Sequence, residues 1–224
     1  MYLPAFYEED RREVQFDLIR SHPLGLLISA GPRGLMANPL PFTAYPAEGG
    51  GVLRVHLARA NPQWQELAGG AECLVVFQGP HAYISPNWYP SKAETHKVVP
   101  TWNYATVHVW GRPQIHEDAA WLRRQIDDLT QAHEGARPQP WKVSDAPADF
   151  VATQFKAIVG IEIAITRIEA KWKMSQNRNE ADRQGVVAGL HAGGGAEQAA
   201  VARLVAESGG PKPVPPLSRS PGQI

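Results

Sequence analysis

Cysteine is nearly absent from this chain of 224 residues, with Cys73 as its single example. One thiol closes no internal disulfide and builds no multi-cysteine metal site, and it fits a reducing compartment. Its setting in the apolar run ECLVVF predicts a buried, inert side chain. Long apolar runs are missing too: none approaches the roughly 18 residues of a membrane-spanning helix. No amino-terminal stretch joins a basic start, an apolar core and a small-residue cleavage site. A cytoplasmic protein without membrane contact is expected. Net charge is also lacking, because 22 Lys and Arg balance 22 Asp and Glu. Dedicated nucleic-acid binders usually carry a basic excess or a basic face, so any positive patch here has to be local. The motifs HExxH, GxSxG and GxGxxG do not occur, and the eight histidines show no helical zinc-pair spacing, so no metal site is expected.

What is present concentrates between Val52 and Trp110. Four of the seven tryptophans, Trp64, Trp88, Trp102 and Trp110, lie there among Arg59, Lys92, Lys97, Asn61, Asn87 and Asn103. Flat rings beside cations and amides suit a planar, anionic ligand. In Arg59-Ala60-Asn61-Pro62 the asparagine is a preferred helix cap and the proline a preferred first helical residue, which predicts a helix beginning at Asn61. A strand ending in Arg59 and feeding that helix would form an anion site. The plain alternative is a capped helix with a surface arginine.

The hydrophobic fraction, 43%, is enough for a sizeable core. Periodicity predicts a first helix over residues 8–21 and a hairpin of strands 24–30 and 35–42 about the turn Gly31-Pro32-Arg33-Gly34. Further strands are predicted at 52–57, 72–78 and 82–85, the last two separated by Gly79-Pro80. The strand 104–110 alternates, with Ala105, Val107 and Val109 on a core face. Helices follow at 117–133, with Leu122, Ile126 and Leu129 inward, and at 146–158, with Phe150, Val151, Phe155 and Ile158 inward. A strand at 161–168 and a short helix at 196–207 complete the pattern. The Pro-rich segment from about Pro211 is expected to be disordered. Six or more strands with helices between and around them describe an α+β, barrel-like domain. It is expected over residues 1–190, with residues 191–224 as a carboxy-terminal extension.

Several long motifs, LARANPQW, VVFQGPHAYISPNWYPSK, VVPTWNY, AIVGIEI and KWKMSQNR, with the opening MYLPAFY and the SHPLGLL run, resemble the PaiB-like family of FMN-binding negative transcriptional regulators. The resemblance covers about residues 1–190. It implies a split β-barrel of the flavin-binding superfamily that includes pyridoxamine phosphate oxidase, with peripheral helices. It also implies a homodimer holding FMN between subunits, and repression of transcription in a bacterium. DNA as a partner rests on the family alone, since no helix-turn-helix pair or basic region is visible. Carried over residue by residue, the resemblance puts His56, Leu57, Ala58, Arg59 and Asn61 at the flavin phosphate. The family more usually has a lysine in that turn, and Lys92 or Lys97 are substitutes. Trp102, Asn103 and Tyr104 match the part that lies against the flavin, although both rings could instead be core. Lys171, Lys173, Ser175 and Gln176 match a segment that reaches the partner's site, or else form a solvated surface turn. The alternatives are an FMN-dependent oxidoreductase, in which the cofactor carries the redox chemistry, and a haem-binding or haem-degrading protein, for which His81 and His96 are the ligand candidates. No nucleophile and base constellation identifies a catalytic residue.

Overall fold

The computed structural model describes residues 1–47 and 50–209. Period-two alternation builds its sheet. The hairpin is present as β1 (Leu24–Gly31) and β2 (Gly34–Pro41), with Gly34 at φ 91°, the left-handed backbone such a turn needs. A short β3 (Thr43–Tyr45), unannounced by the pattern, precedes β4 (Val52–Ala58). With β5 (Cys73–Ile84), β6 (Thr101–His116) and β7 (Ile158–Lys173) these make a seven-stranded sheet in the order β2-β1-β5-β6-β7-β4-β3. Antiparallel ladders join β1 to β2 and β5, and β4 to β3 and β7. The α+β class is as expected.

The two strands predicted at 72–78 and 82–85 are one continuous β5. Proline's fixed φ suits an extended chain, and the ladder to β1 involves only Leu74–Val76, so the missing N–H of Pro80 breaks no bond on that side. The helix predicted from Asn61 is the five-residue α2 (Gln63–Leu67), with Pro62 before it. Elsewhere α1 (Arg12–Ser21) starts later than expected, α3 (Ser91–Thr95) is additional, and α4 (Ala119–Glu134) and α5 (Ala148–Lys156) are close to prediction. Phe150 of α5, expected inward, is 55% exposed. α6 (Glu180–Gly193) is also additional, and α7 (Ala196–Glu207) is as predicted. The tail from Pro211 lies outside the described residues. No described helix is long and apolar enough to cross a membrane.

The chain forms two compact units. A sheet unit holds Asp10–Gln78 and Thr106–Ala170; a helical unit holds Met1–Glu9, Gly79–Ala105 and residues 171–209. In the sheet unit, Leu53, Val55 and Leu57 pair with Ile163, Ile161 and Val159, and all are buried. Each such side chain contributes about 1.5–3 kcal/mol on leaving water. Ala105, Val107 and Val109 of β6 are fully buried, as their alternation predicted. Cys73 is buried, and burial pushes its thiol up to about 12, the inert state expected.

The other face of β4 and β7 is polar and packs on α4. Arg54 Nε donates to Glu162 at 2.7 Å, and Tyr45 donates to Asp128 at 2.5 Å. Trp121 lies on Gly160, where a Cβ would stand 2.1 Å from the indole. The ring of His116 stacks on Trp121 at 4.3 Å and 4°. Burial holds His116 below the ordinary histidine value, with Glu162 raising and Arg54 lowering it further. A histidine with a lower pKa folded than unfolded binds fewer protons when folded. Its stabilisation is complete above about pH 6.5 and lost as the pH falls below that value. Denaturant melts from about pH 8 to about pH 5 should therefore show stability falling on acidification. His116→Phe, which keeps the stack, should flatten that fall; His108, also pushed down by burial, supplies the remainder.

In the helical unit Asp182 is buried and accepts from the Ser91 amide at 3.1 Å and the Ser91 hydroxyl at 2.8 Å. Asn179 caps α6 by accepting from the Asp182 amide at 2.8 Å. Trp88 lies along the same helix against Gly185 and Gly189.

Candidate functional site

The residues expected at the flavin phosphate form a clasp in the sheet unit. Leu57 is a core residue and Ala58 is exposed. His56 Nδ1 lies 2.8 Å from Gln125 Oε1. The Arg59 guanidinium donates to the carbonyls of Lys156 at 3.0 Å and Ile158 at 3.2 Å, and its third nitrogen pairs with Glu117. Asn61 Oδ1 accepts from the Gln63 amide at 3.0 Å, so the capping chemistry is real although the helix it starts is one turn long. Gln63, wholly buried, donates to the Leu27 carbonyl and the Ser29 hydroxyl, each at 3.1 Å, and accepts from Asn38 at 2.8 Å. Trp64 Nε1 donates to the Arg59 carbonyl at 2.9 Å. The motif LARANPQW thus ties β4, α2 and the β1–β2 hairpin together. Beside it lies a pocket of about 530 Å³ lined by Arg59, Glu117, Leu122, Phe155 and Lys156. Arg59→Ala removes three hydrogen bonds and should lower stability by about 1–2 kcal/mol in thermal melts. Its effect on FMN affinity in a titration should stay within about threefold, because the guanidinium is already engaged.

The remaining site residues meet in the helical unit. Asn103, 1% exposed, donates from Nδ2 to Ser175 Oγ at 2.9 Å, and its Oδ1 is buried with no partner among the described residues. A buried amide oxygen without a donor costs about 1–3 kcal/mol, which marks the position for a ligand that can donate. Ser175 holds φ 61°, a left-handed conformation uncommon outside glycine. Gln176 turns back on its own segment, accepting from the Met174 amide at 2.7 Å and donating to the Trp172 carbonyl at 2.6 Å, so both its polar ends are used locally.

Lys171 is 8% exposed. Its Nζ donates to the Tyr2 carbonyl at 3.1 Å and sits 5.5, 5.8 and 5.5 Å from the ring centres of Tyr2, Tyr7 and Tyr104. Lys173 Nζ donates to Thr101 Oγ1, and burial, reinforced by the Lys171 charge, holds its pKa below the ordinary lysine value. Arg178 lies over the Tyr89 ring at 4.5 Å. Among the described residues no carboxylate pairs with Lys171, Lys173 or Arg178. Such cations, Lys171 buried and Lys173 and Arg178 half-buried, suit an anionic ligand.

Trp102 is 53% exposed and Tyr83 48% exposed, their rings 6.2 Å apart. Trp102 is therefore no core aromatic. His81, 6.0 Å from Trp102, brings Nδ1 within 3.1 Å of Glu197. His96 ends α3 with φ 55°. Among the described residues no group of three His, Cys, Asp or Glu side chains could hold a metal ion. Tyr2, Tyr7, Tyr89 and Arg178 were not singled out from sequence, although the motifs MYLPAFY, WYPSK and MSQNR contain them.

An uncharacterised protein of the fungus Emericella nidulans is 36% identical, over 93% of this chain and 98% of that one. The Bacillus subtilis protease synthase and sporulation protein PAI 2 is 30% identical, over 84% of this chain and 87% of that one. The second bears out the PaiB-like resemblance, and the first shows that such chains are not confined to bacteria. Among solved structures, the FAD and haem binding protein of Mycobacterium smegmatis shares the fold at a TM-score of 0.53, over 82% of this chain and 80% of that one, with 18% identity. A family model matches residues 1–167, and on that match the chain belongs to the family described as "Putative FMN-binding domain".

Proposed function

We propose that this chain is an FMN-binding homodimer of the split-barrel type that works as a flavin-dependent oxidoreductase. The observation that carries the reading is Asn103 Oδ1, buried beside the Ser175 hydroxyl with no partner among the described residues, in a unit where no described carboxylate pairs with Lys171 or Lys173. The donor set fits the cofactor: FMN offers a ring N–H to an orphaned acceptor, and a phosphate and carbonyl oxygens to unneutralised cations. Asn103 would accept from the ring, Lys171 and Lys173 would balance negative charge on the bound group, and the exposed face of Trp102 would cover it. When bound, FMN supplies the electron or hydride exchange. The protein's part is to hold and orient the cofactor and keep water from one side of it.

The fold shared with a FAD and haem binding protein and the family membership support a flavin role. A regulatory role is what the resemblance to the PaiB-like family implies. Against a direct DNA contact stand the zero net charge and the pairing of Arg20, Arg33, Arg59, Arg123 and Arg137 with neighbouring acids. Absorption spectroscopy of the purified chain titrated with FMN, then with NADH or NADPH under nitrogen, tests the proposal. Saturable binding followed by bleaching near 450 nm, on the order of seconds to minutes, is the expected result. Bound flavin inert to both reductants, together with a salt-sensitive shift of promoter DNA, would favour the regulator.

Haem is a second reading, favoured by His81. Glu197 holds its Nδ1, which leaves Nε2 available as a ligand beside the Trp102 ring. A Soret band on adding haemin that His81→Ala abolishes would support it, and an unchanged band in that variant would remove it.

A further inference from the structure

In α6, Glu180, Arg183, Gln184, Val187 and Ala188 recur at intervals of three and four, the spacing that puts side chains on one face of a helix. Gly194 and Gly195, with φ 70° and 96°, reverse the chain, so the last turn of α7 comes back beside the first turns of α6. Val205 and Ala206 of that turn close, with the α6 face, a pocket of about 300 Å³. One half of its wall is aliphatic and small; the other half is charged. None of the residues assigned to the flavin lines it.

Arg183 is the unusual member. Its side chain is only 12% exposed. Nη2 donates to Glu180, but Nη1 is buried and has no partner among the described residues. A guanidinium withdrawn from water with N–H groups unbonded is unfavourable, and a planar carboxylate is the acceptor its fork fits. Glu180, 64% exposed, also accepts from Gln184 Nε2 at 3.0 Å. Hydrogen bonds from Arg183 and Gln184 hold its carboxyl below the usual carboxylate range, so it is ionised at neutral pH. A carboxylate offers about four acceptor positions, which leaves room for a further donor.

The charges select the ligand. Arg183 and Glu180 already sum to zero, so a lone carboxylate would place an unbalanced negative charge beside Glu180. A lone ammonium would leave Arg183 Nη1 unbonded. A group that carries both answers both. We propose that this pocket binds a free α-amino acid with an aliphatic side chain: its carboxylate on Arg183, its ammonium on Glu180 and its side chain against Val187 and Val205. It would be a ligand site separate from that of the flavin.

Isothermal titration of the full chain with L-leucine, 4-methylpentanoate and 3-methylbutylamine tests it, since the second lacks leucine's ammonium and the third its carboxylate. Leucine is expected to saturate with a dissociation constant below about 1 mM, and each analogue to bind at least about 10-fold more weakly. Arg183→Met, which keeps the stem and removes the donors, should weaken leucine binding at least about 10-fold. Should that variant misfold by circular dichroism, Ala188→Trp decides instead. Position 188 is exposed, so the ring obstructs the pocket without entering the core, and leucine binding should be lost. Leucine that fails to bind at about 10 mM overturns the proposal. Equal binding of 4-methylpentanoate overturns it as well, leaving a plain carboxylate site, and so does leucine binding that the folded variant retains unchanged.

Discussion

Gly185→Val should lower stability by about 3 kcal/mol or more, seen as a fall of roughly 6–12 °C in melting temperature. A Cβ at position 185 would stand 2.0 Å from the Trp88 carbonyl oxygen, an atom of the backbone that cannot rotate away. One turn on, a Cβ at Gly189 would lie 2.3 Å from the Trp88 indole. The two glycines form the flat stripe on α6 that lets the Trp88 segment approach the helix axis. Gly193, in the same helix, is the comparison: its nearest neighbour would be Gln198 Nε2 at 3.6 Å. Gly193→Ala should be neutral or stabilise by up to about 1 kcal/mol through helix propensity. Equal losses in both variants would show that helix content, not the Trp88 contact, controls stability there.

Asn103→Leu should reduce FMN affinity about 100-fold while changing the stability of the flavin-free protein by less than about 1 kcal/mol. The expectation follows from an imbalance in the hydrogen bonding. Substitution removes the bond to Ser175, which weakens the fold, but it also removes an orphaned buried oxygen, which strengthens it. The ligand bond has no such offset. Isothermal titration with FMN read beside thermal melts separates the two, and an unchanged affinity would sink the role given to Asn103. Lys171→Met and Lys173→Met should weaken binding as well. Burial lowers the Lys173 pKa, so FMN affinity should begin to fall at a pH below that at which an ordinary lysine loses its charge.

Much of the sheet was legible because alternation with one apolar face leaves little choice of register, as β6 and β7 show. Three features were hidden for separate reasons. Gly79-Pro80 looks like a break, yet an extended chain accepts proline wherever its nitrogen faces no partner, and β5 passes through. Residues 180–193 contain three glycines, which propensity counts against a helix, whereas two of them serve the contact with Trp88. Arg59 carries a positive charge at a strand end, the usual sign of an anion site, but its acceptors are Glu117 and the carbonyls of residues 156 and 158, nearly a hundred positions away in sequence. A separation of 72 positions likewise hides the pairing of Asn103 with Ser175. Sequence marked both residues as polar and site-like; only folding shows that one oxygen of the pair is left over.

The helical unit is assembled from three stretches that begin at Met1, Gly79 and Lys171. On a ribosome, Tyr2 and Tyr7 would emerge roughly 160 residues ahead of Lys171, the residue they meet in the fold. Adding residues at a rate on the order of ten per second, synthesis would impose a delay of roughly 15 seconds or more. During that interval the amino-terminal tyrosines would be open to chaperones and proteases. Truncated products ending before residue 171 would lack a scaffold for residues 1–9, which makes that segment a sensitive reporter of incomplete translation.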